Sequence, residues 1–411
     1  MFQLSYSTNG LTHLDLFSAI SEVSNAGYQG IELTFQEKQF DPFKITHNDL
    51  MDVKRFLRKQ NLKAACISTP TICLLSDRPH DPSLLTIDNN QRQKRIDLIK
   101  KGIEIAEILE APVVTFGSGF IREEHVLNPT INPREILVDS IRECLKNIAN
   151  VTLVIEPEPG MYIETLAEGV SLVKTLDSEN FKLHLDLCHA YCSEHNYINA
   201  IIRAAPFIKY LHISDTTDGY NLKFIQNFSK KPIDSSFSGC LIYDAKKSNF
   251  LFIDKKQMIY FYHDALIDTD KISMISTANG MNQRGNMEFV CYDDINRSTS
   301  IYDSEINAYL NSIPGVSFAV LDQAKPVLRY LRDKNKHGKQ YIEKKLCNTI
   351  TGKVHYHDIP GNGDMDFSGI FNALTNRQFA GYATVELYNH NDIWNKALTA
   401  SIKYLQPLIR Y

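Results

Sequence analysis

From residue 3 to about residue 215, short apolar runs alternate with longer stretches in which apolar residues recur every third or fourth position. Seven runs read as buried β-strands: QLSYS (3–7), GIELTF (30–35), LKAACIS (62–68), PVVTFG (112–117), TLVIE (152–156), KLHLD (182–186) and KYLHIS (209–214). The stretches between them carry helical spacing. LDLFSAISEVSNAG, for example, repeats apolar residues along one face and stops at Gly27, which suits a helix C-cap. Strands that alternate with helices predict βα units around a parallel sheet.

The rhythm breaks after HISDTTDG. Residues 218–352 hold aromatic alternating runs (NFLFID, MIYFYH), an Asn/Gly-rich stretch, STANGMNQRGN (276–286), and a basic helical stretch near 325–347. The βα pattern then resumes with the loop HYHDIPGNGD, a helix near 366–379, an eighth strand YATVELY (382–388) and a closing helix near 392–408. Eight strands with intervening helices predict an α/β fold, a (β/α)8 TIM barrel over residues 1–217 and 353–411 with a large insertion between strands seven and eight. The same alternation also fits a doubly wound open sheet. A segment as long as 218–352 needs structure of its own, and its alternating runs predict a small β-rich cap or lid. An outward-facing assembly lobe, and with it a homo-oligomer, is the other reading of the insertion.

In a barrel, functional groups stand at the C-terminal ends of the strands. Strand five ends in Glu156, strand six in Asp186 with His189 beyond, strand seven holds His212 with Asp215 beyond, and strand eight holds Glu386. Period-two alternation puts Val154 and Glu156, His184 and Asp186, Tyr210 and His212, and Thr384 and Glu386 on shared faces. Each residue alone has an ordinary reading, as a loop contact, a helix cap or a satisfied core histidine. Four in succession form a mixed oxygen and nitrogen set suited to a divalent metal ion of the Mn, Mg, Co or Zn type, and the lack of cysteine among them argues against a structural zinc site. A buried carboxylate such as Glu156 needs a compensating charge, and a metal ion supplies one.

These motifs resemble the xylose isomerase-like TIM barrels, the superfamily of sugar and sugar-phosphate isomerases and epimerases that also contains endonuclease IV. The resemblance rests on VIEPEPG, LDLCHA, YLHISD, IPGNGDMDF and GYATVELY, and covers residues 1–217 and 353–408. Similarity to the ketose 3-epimerases implies that Glu156, Asp186, His212 and Glu386 bind one divalent metal ion, that Glu156 and Glu386 also act as acid and base, and that His189 contacts a substrate hydroxyl. That branch carries an arginine shortly after the strand-seven histidine, where this chain has Asp218. Endonuclease IV has histidines at the ends of strands three and four, where this chain has CISTP and TFGSG. The resemblance therefore implies no full three-metal site, while His189, Asp215, His355 and His357 make up a candidate second-metal set and His357 is alternatively a substrate contact. The GNGD turn offers backbone amides to an anion, and Arg284 of the insertion offers a charged contact to substrate.

Composition narrows the partner. A net charge of −4 with acidic and basic residues interspersed argues against broad nucleic-acid binding, and no 18-residue apolar run suits a membrane span. LRDKNKHGKQYIEKK reads as a solvated helical face. The N-terminus shows no secretory signal, and the eight cysteines, without a CxxC pair, read as reduced thiols; both fit a cytoplasmic protein. Cys188 and Cys192 read as packing residues. The resulting expectation is an enzyme: a metal-dependent isomerase or epimerase acting on a carbohydrate-like small molecule, a sugar, keto-sugar or cyclitol, through an enediolate. A dehydratase on the same site, a hydrolase of the phosphodiesterase kind and a catalytically dead binding module are the alternatives.

Overall fold

The computed structural model describes residues 2–70, 74–76, 80–122, 124–125, 128, 130–159, 161–216, 220–223, 239–244, 249–254, 259–263, 273–274, 288–292, 349–352 and 357–409. The chain divides into two compact units, residues 1–217 with 357–411, and residues 218–356.

The first unit is built on strands β1 (Phe2–Ser7), β2 (Gly30–Thr34), β3 (Lys63–Ser68), β4 (Val113–Gly117), β5 (Thr152–Glu156), β6 (Phe181–Asp186), β7 (Ile208–Ile213) and, after the insertion, β15 (Gly381–Val385). Every neighbouring pair is parallel. β1 pairs with both β2 and β15, and this excludes the open sheet by closing the ring in the order β1-β15-β7-β6-β5-β4-β3-β2. The result is a (β/α)8 barrel interrupted by an insertion between its seventh and eighth strands.

Helices α1 (Leu16–Asn25), α2 (His47–Lys59), α3 (Asn89–Leu109), α4 (Pro133–Cys144), α5 (Leu166–Leu176), α6 (Leu187–Ser193), α7 (Tyr197–Ala204), α8 (Phe367–Asn376) and α9 (Trp394–Leu408) lie along the chain between and after the strands. Local chemistry sets their starts: Thr46 and Thr165 each close a capping box with a carboxylate three residues on, which satisfies otherwise orphaned N–H groups. Their apolar faces, such as Leu16, Ala19, Ile20 and Val23 of α1, join the outward strand residues in one core. Gly27 takes φ +94° just past α1, a backbone region that glycine enters at little cost.

Inside the ring the residues are of another kind. A small apolar cluster, Ala65, Cys66, Val113, Val154 and Tyr210, fills one level, while Ser5, Ser7, Glu32, Thr115, His184, His212 and Thr384 are buried polar residues. Burying so many polar groups is tolerable only where they bond one another. Contacts such as Ser7 with Glu32, Thr115 with His184 and Glu32 with His212 link them inside the ring.

In the second unit the described segments are strands. β9 (Gly239–Asp244), β10 (Asn249–Asp254), β11 (Ile259–His263), β12 (Ser273–Met274) and β13 (Glu288–Tyr292) form an antiparallel sheet in the order β12-β11-β10-β9-β13, and β8 (Tyr220–Lys223) pairs antiparallel with β14 (Thr349–Gly352). The NFLFID and MIYFYH runs fall on β10 and β11. The 276–286 stretch with Arg284, the basic stretch near 325–347, Asp218 and His355 lie outside the described residues. Among the described residues no helix is long and apolar enough to cross a membrane.

Candidate metal centre

Strands β5, β6, β7 and β15 are consecutive in the ring, and parallel register sets their ends side by side, with Asp186 opposite His212 and His212 opposite Thr384. Glu386 stands one residue beyond β15, and its N–H still bonds the Ile213 carbonyl at 3.1 Å, which keeps it in line with the strand. Glu156, Asp186, His212 and Glu386 thus come together as one group.

His212 is at its centre. Its Nδ1 lies 3.4 Å from Glu386 Oε2, 3.7 Å from Glu156 Oε1 and 3.8 Å from Asp186 Oδ2. These separations are too long for good hydrogen bonds. They are near the spacing of ligands around one shared ion, since bonds of about 2.1 Å put neighbouring ligand atoms about 3.0–3.5 Å apart. His212 Nδ1 and Asp186 Oδ2 are buried and have no hydrogen-bond partner, although their residues are only 1% exposed. The ordinary reading of Asp186 as a helix cap also holds, for one oxygen only. Oδ1 accepts the His189 N–H at 2.8 Å to start α6, leaving Oδ2 for the centre.

Electrostatics say the same. Burial drives the Glu156 carboxyl up to about 8, against the lowering pull of His212. Burial works against charge on Glu386 too, but there His212 and His357 win and hold it down to about 2. Burial also raises Asp186. For His212 burial disfavours the charged ring, yet Glu32 and Glu386 keep it protonated well above the usual histidine range. Burial thus favours the protonated form of Glu156 and Asp186, while Glu386 stays ionised beside the charged imidazole.

A second layer lies beside the first. His189 Nδ1 is 3.4 Å from Glu156 Oε1, His357 Nδ1 is 3.4 Å from Glu386 Oε2, and the two rings meet with 3.2 Å between their Nε2 atoms. His357 arrives through a two-way backbone bridge at 2.7 Å between Asp215 and Asp358, and adopts φ +50°, a strained conformation for a non-glycine residue. Its Nδ1 also lies 3.2 Å from Ser214 Oγ. Among the described residues, three groups have the proximity a metal ion requires: Glu156, His184 and His212; Asp186, His189 and His357; Glu32, His212 and Glu386.

Asp215 is in none of these groups. Its Oδ2 accepts the N–H groups of Gly361 and Gly363 at 2.8 and 2.9 Å, and its Oδ1 those of Thr216 and Met365 at 2.9 and 3.3 Å. Those four bonds use the lone pairs a metal would need. They also turn the amides of Gly361 and Gly363 in the GNGD turn toward Asp215, so these two are engaged by the chain's own carboxylate and not by a ligand anion. Gly363 is required there, because a Cβ would come within 2.4 Å of both Asp215 Oδ1 and the Thr216 carbonyl.

Residues that the strand-end argument missed include Glu32, whose Oε2 lies 2.8 Å from His212 Nε2, and His184, with Nδ1 2.7 Å from Thr115 Oγ1 and 3.5 Å from Glu156 Oε2. Asn9 donates to Glu386 Oε1 at 3.2 Å. A charge inside an apolar strand run was the available signal for Glu32.

A closed parallel barrel with carboxylates and imidazoles gathered at the C-terminal strand ends defines a class of metal-capable (β/α)8 proteins. The chain belongs to the xylose isomerase-like TIM barrel family, whose profile matches residues 20–235. Among solved structures it is similar to D-psicose 3-epimerase from Clostridium cellulolyticum H10, crystallised with D-tagatose (TM-score 0.55, 12% identity, 100% of each chain covered). It is also similar to the IolI protein, whose crystal structure holds a zinc atom (TM-score 0.53, 13% identity, 99% of this chain and 98% of that one). A third similar structure is the probable 3-DHS dehydratase AsbF from Bacillus anthracis (TM-score 0.51, 14% identity, 98% of this chain and 99% of that one). At these identities the likeness is one of fold. No curated protein sequence matches the chain.

Proposed function

We propose that the chain is a metal-dependent isomerase or epimerase of a sugar, keto-sugar or cyclitol, in which Glu156, Asp186, His212 and Glu386 hold one divalent ion. The observation that carries this reading is the buried His212 Nδ1 without a hydrogen-bond partner, ringed by three carboxylates at 3.4–3.8 Å. The donor set fits Mn, Mg, Co or Zn. When bound, such an ion acts as a Lewis acid toward a substrate carbonyl and neighbouring hydroxyl and makes the α-carbon proton more acidic.

The chain's own groups do the rest. Side-chain exposure separates the four: Asp186 and His212 are at 0% and 1%, Glu156 and Glu386 at 8% and 12%. The two glutamates therefore present a face to the barrel mouth, and they are the groups that remove and return the proton across an enediolate. Backing from His189 Nδ1 and His357 Nδ1 orients one oxygen of each, and the same imidazoles are placed to meet substrate hydroxyls. Elimination of water is the second reading, favoured by this imidazole pair, which can protonate a departing hydroxyl beside the base. Hydrolysis with two or three ions has less support, since Asp215 is committed to its loop.

Turnover of ketose and cyclitol candidates in deuterium oxide tests the reading. Deuterium on a product carbon is the expected result. Unlabelled product accompanied by released phosphate or alcohol would refute it in favour of hydrolysis.

A further inference from the structure

We infer that Glu32, on β2, is the positioning residue of this centre: its carboxylate selects which nitrogen of His212 faces the ion. The inference rests on the ligand set proposed above and goes one step behind it.

β2 and β7 are not neighbours in the ring, as β1 and β15 separate them, so the contact between Glu32 and His212 crosses the barrel interior. Glu32 is 0% exposed, and a carboxylate buried there needs partners. It has three. Ser7 Oγ donates to Oε1 at 2.7 Å, Tyr210 OH donates to Oε2 at 2.7 Å, and His212 Nε2 stands 2.8 Å from Oε2. Tyr210 OH is itself 2.5 Å from Thr384 Oγ1, which contacts Ser5, so the hydroxyls form a directed chain that ends on Glu32. Asn9 N–H in turn bonds Ser7 Oγ at 3.2 Å.

An ionised carboxylate only accepts hydrogen bonds. With two hydroxyls already donating to it, Glu32 calls for the donor form of His212 Nε2. The imidazole then has its Nδ1 lone pair for the other side, where Glu156, Asp186 and Glu386 converge. The bond also fixes the ring plane and makes Nδ1 a better donor to a metal ion, the effect that a carboxylate behind a ligating histidine generally has. Neither the spacing of the ligands nor the packing of the barrel requires a charge at position 32. A Leu or Gln would fill comparable space, but only a carboxylate accepts from all three partners.

The test is Co2+ titration of the full chain and of Glu32→Gln, read by calorimetry and by the ligand-field absorption of the bound ion, with far-UV circular dichroism as the check on folding. Gln keeps the size of the side chain and removes its charge and one acceptor oxygen. Glu32→Gln is expected to bind Co2+ about 10–100-fold more weakly than the parent, with an altered absorption band. Equal affinity and an identical band in a folded variant would overturn the role of Glu32 and leave the ligand set standing. No Co2+ binding by the parent would overturn both.

Should Glu32→Gln fail to fold, the parent alone decides. In 15N-histidine spectra of the Zn2+-loaded protein, with His212 assigned by the signals lost in His212→Gln, the proton is expected on Nε2. A proton on Nδ1 would overturn the inference.

Discussion

For the proposed metal centre, the charges at the strand ends predict an affinity that depends steeply on pH. With no cation present, burial holds the Glu156 carboxyl up to about 8, so at pH 6 it is protonated and must lose that proton to become a ligand. The cost is about 1.4 kcal/mol for each pH unit below 8, or about 3 kcal/mol at pH 6, equal to roughly 100-fold weaker binding than at pH 8. Because the side chain is only 8% exposed, little solvent screening reduces this figure. Glu386, held to about 2, is already ionised and adds nothing to this dependence. Calorimetric titration with Mn2+ or Co2+ from pH 6 to pH 8, in two buffers of different ionisation enthalpy, should show affinity rising by up to about tenfold per pH unit, with about one proton released per ion at pH 6. An affinity flat across that range, with no proton release, would refute the reasoning. The same shift fixes the sign for folding. A carboxyl raised from 4.5 to about 8 stabilises the metal-free protein fully below pH 4.5, and this contribution is lost as pH rises through 8.

Three further outcomes follow from the geometry. Glu386→Gln should lower turnover and deuterium incorporation about 10²–10⁴-fold, the range for a general acid or base, and this is measured by NMR in deuterium oxide; undiminished incorporation would remove it from proton transfer. Gly363→Ala, whose Cβ would fall 2.4 Å from Asp215 Oδ1 and the Thr216 carbonyl, should destabilise the protein by about 1–3 kcal/mol as the four bonds to Asp215 loosen, visible as a lower Tm. Replacing residues 222–350 with a short Gly/Ser linker should leave a folded barrel that still binds a metal ion, because every pairing that closes the ring is made by residues outside that segment; a chain without helical circular dichroism would contradict this.

Much of the barrel was legible in the sequence because its strands are buried on both faces and read as continuous apolar runs. TLVIE is an example: the run begins and ends where β5 does. The ends of β5, β6 and β7 carry an acid or a histidine, and a rule tied to strand ends finds those. Ring closure was expected from the count of eight strands, although no single motif shows it, since the pairing of β1 with β15 joins residues at opposite ends of the chain. Glu32 was hidden for a related reason. Within GIELTF it resembles a stray polar residue in a buried strand, and only the closed barrel brings it to His212. Asp215 shows that one residue type serves two ends: its acceptors meet backbone amides about 150 positions away, as the Gly363 and Met365 bonds show, and no local pattern reveals that.

The central claim is that Glu156, Asp186, His212 and Glu386 share one ion. Elemental analysis of chelator-free preparations of the parent, Asp186→Ala and His212→Ala tests it most directly. The account predicts about one divalent ion per parent chain and its loss from both variants while they remain folded, since each variant removes a ligand aimed at the centre. Full metal retained in both variants would contradict it.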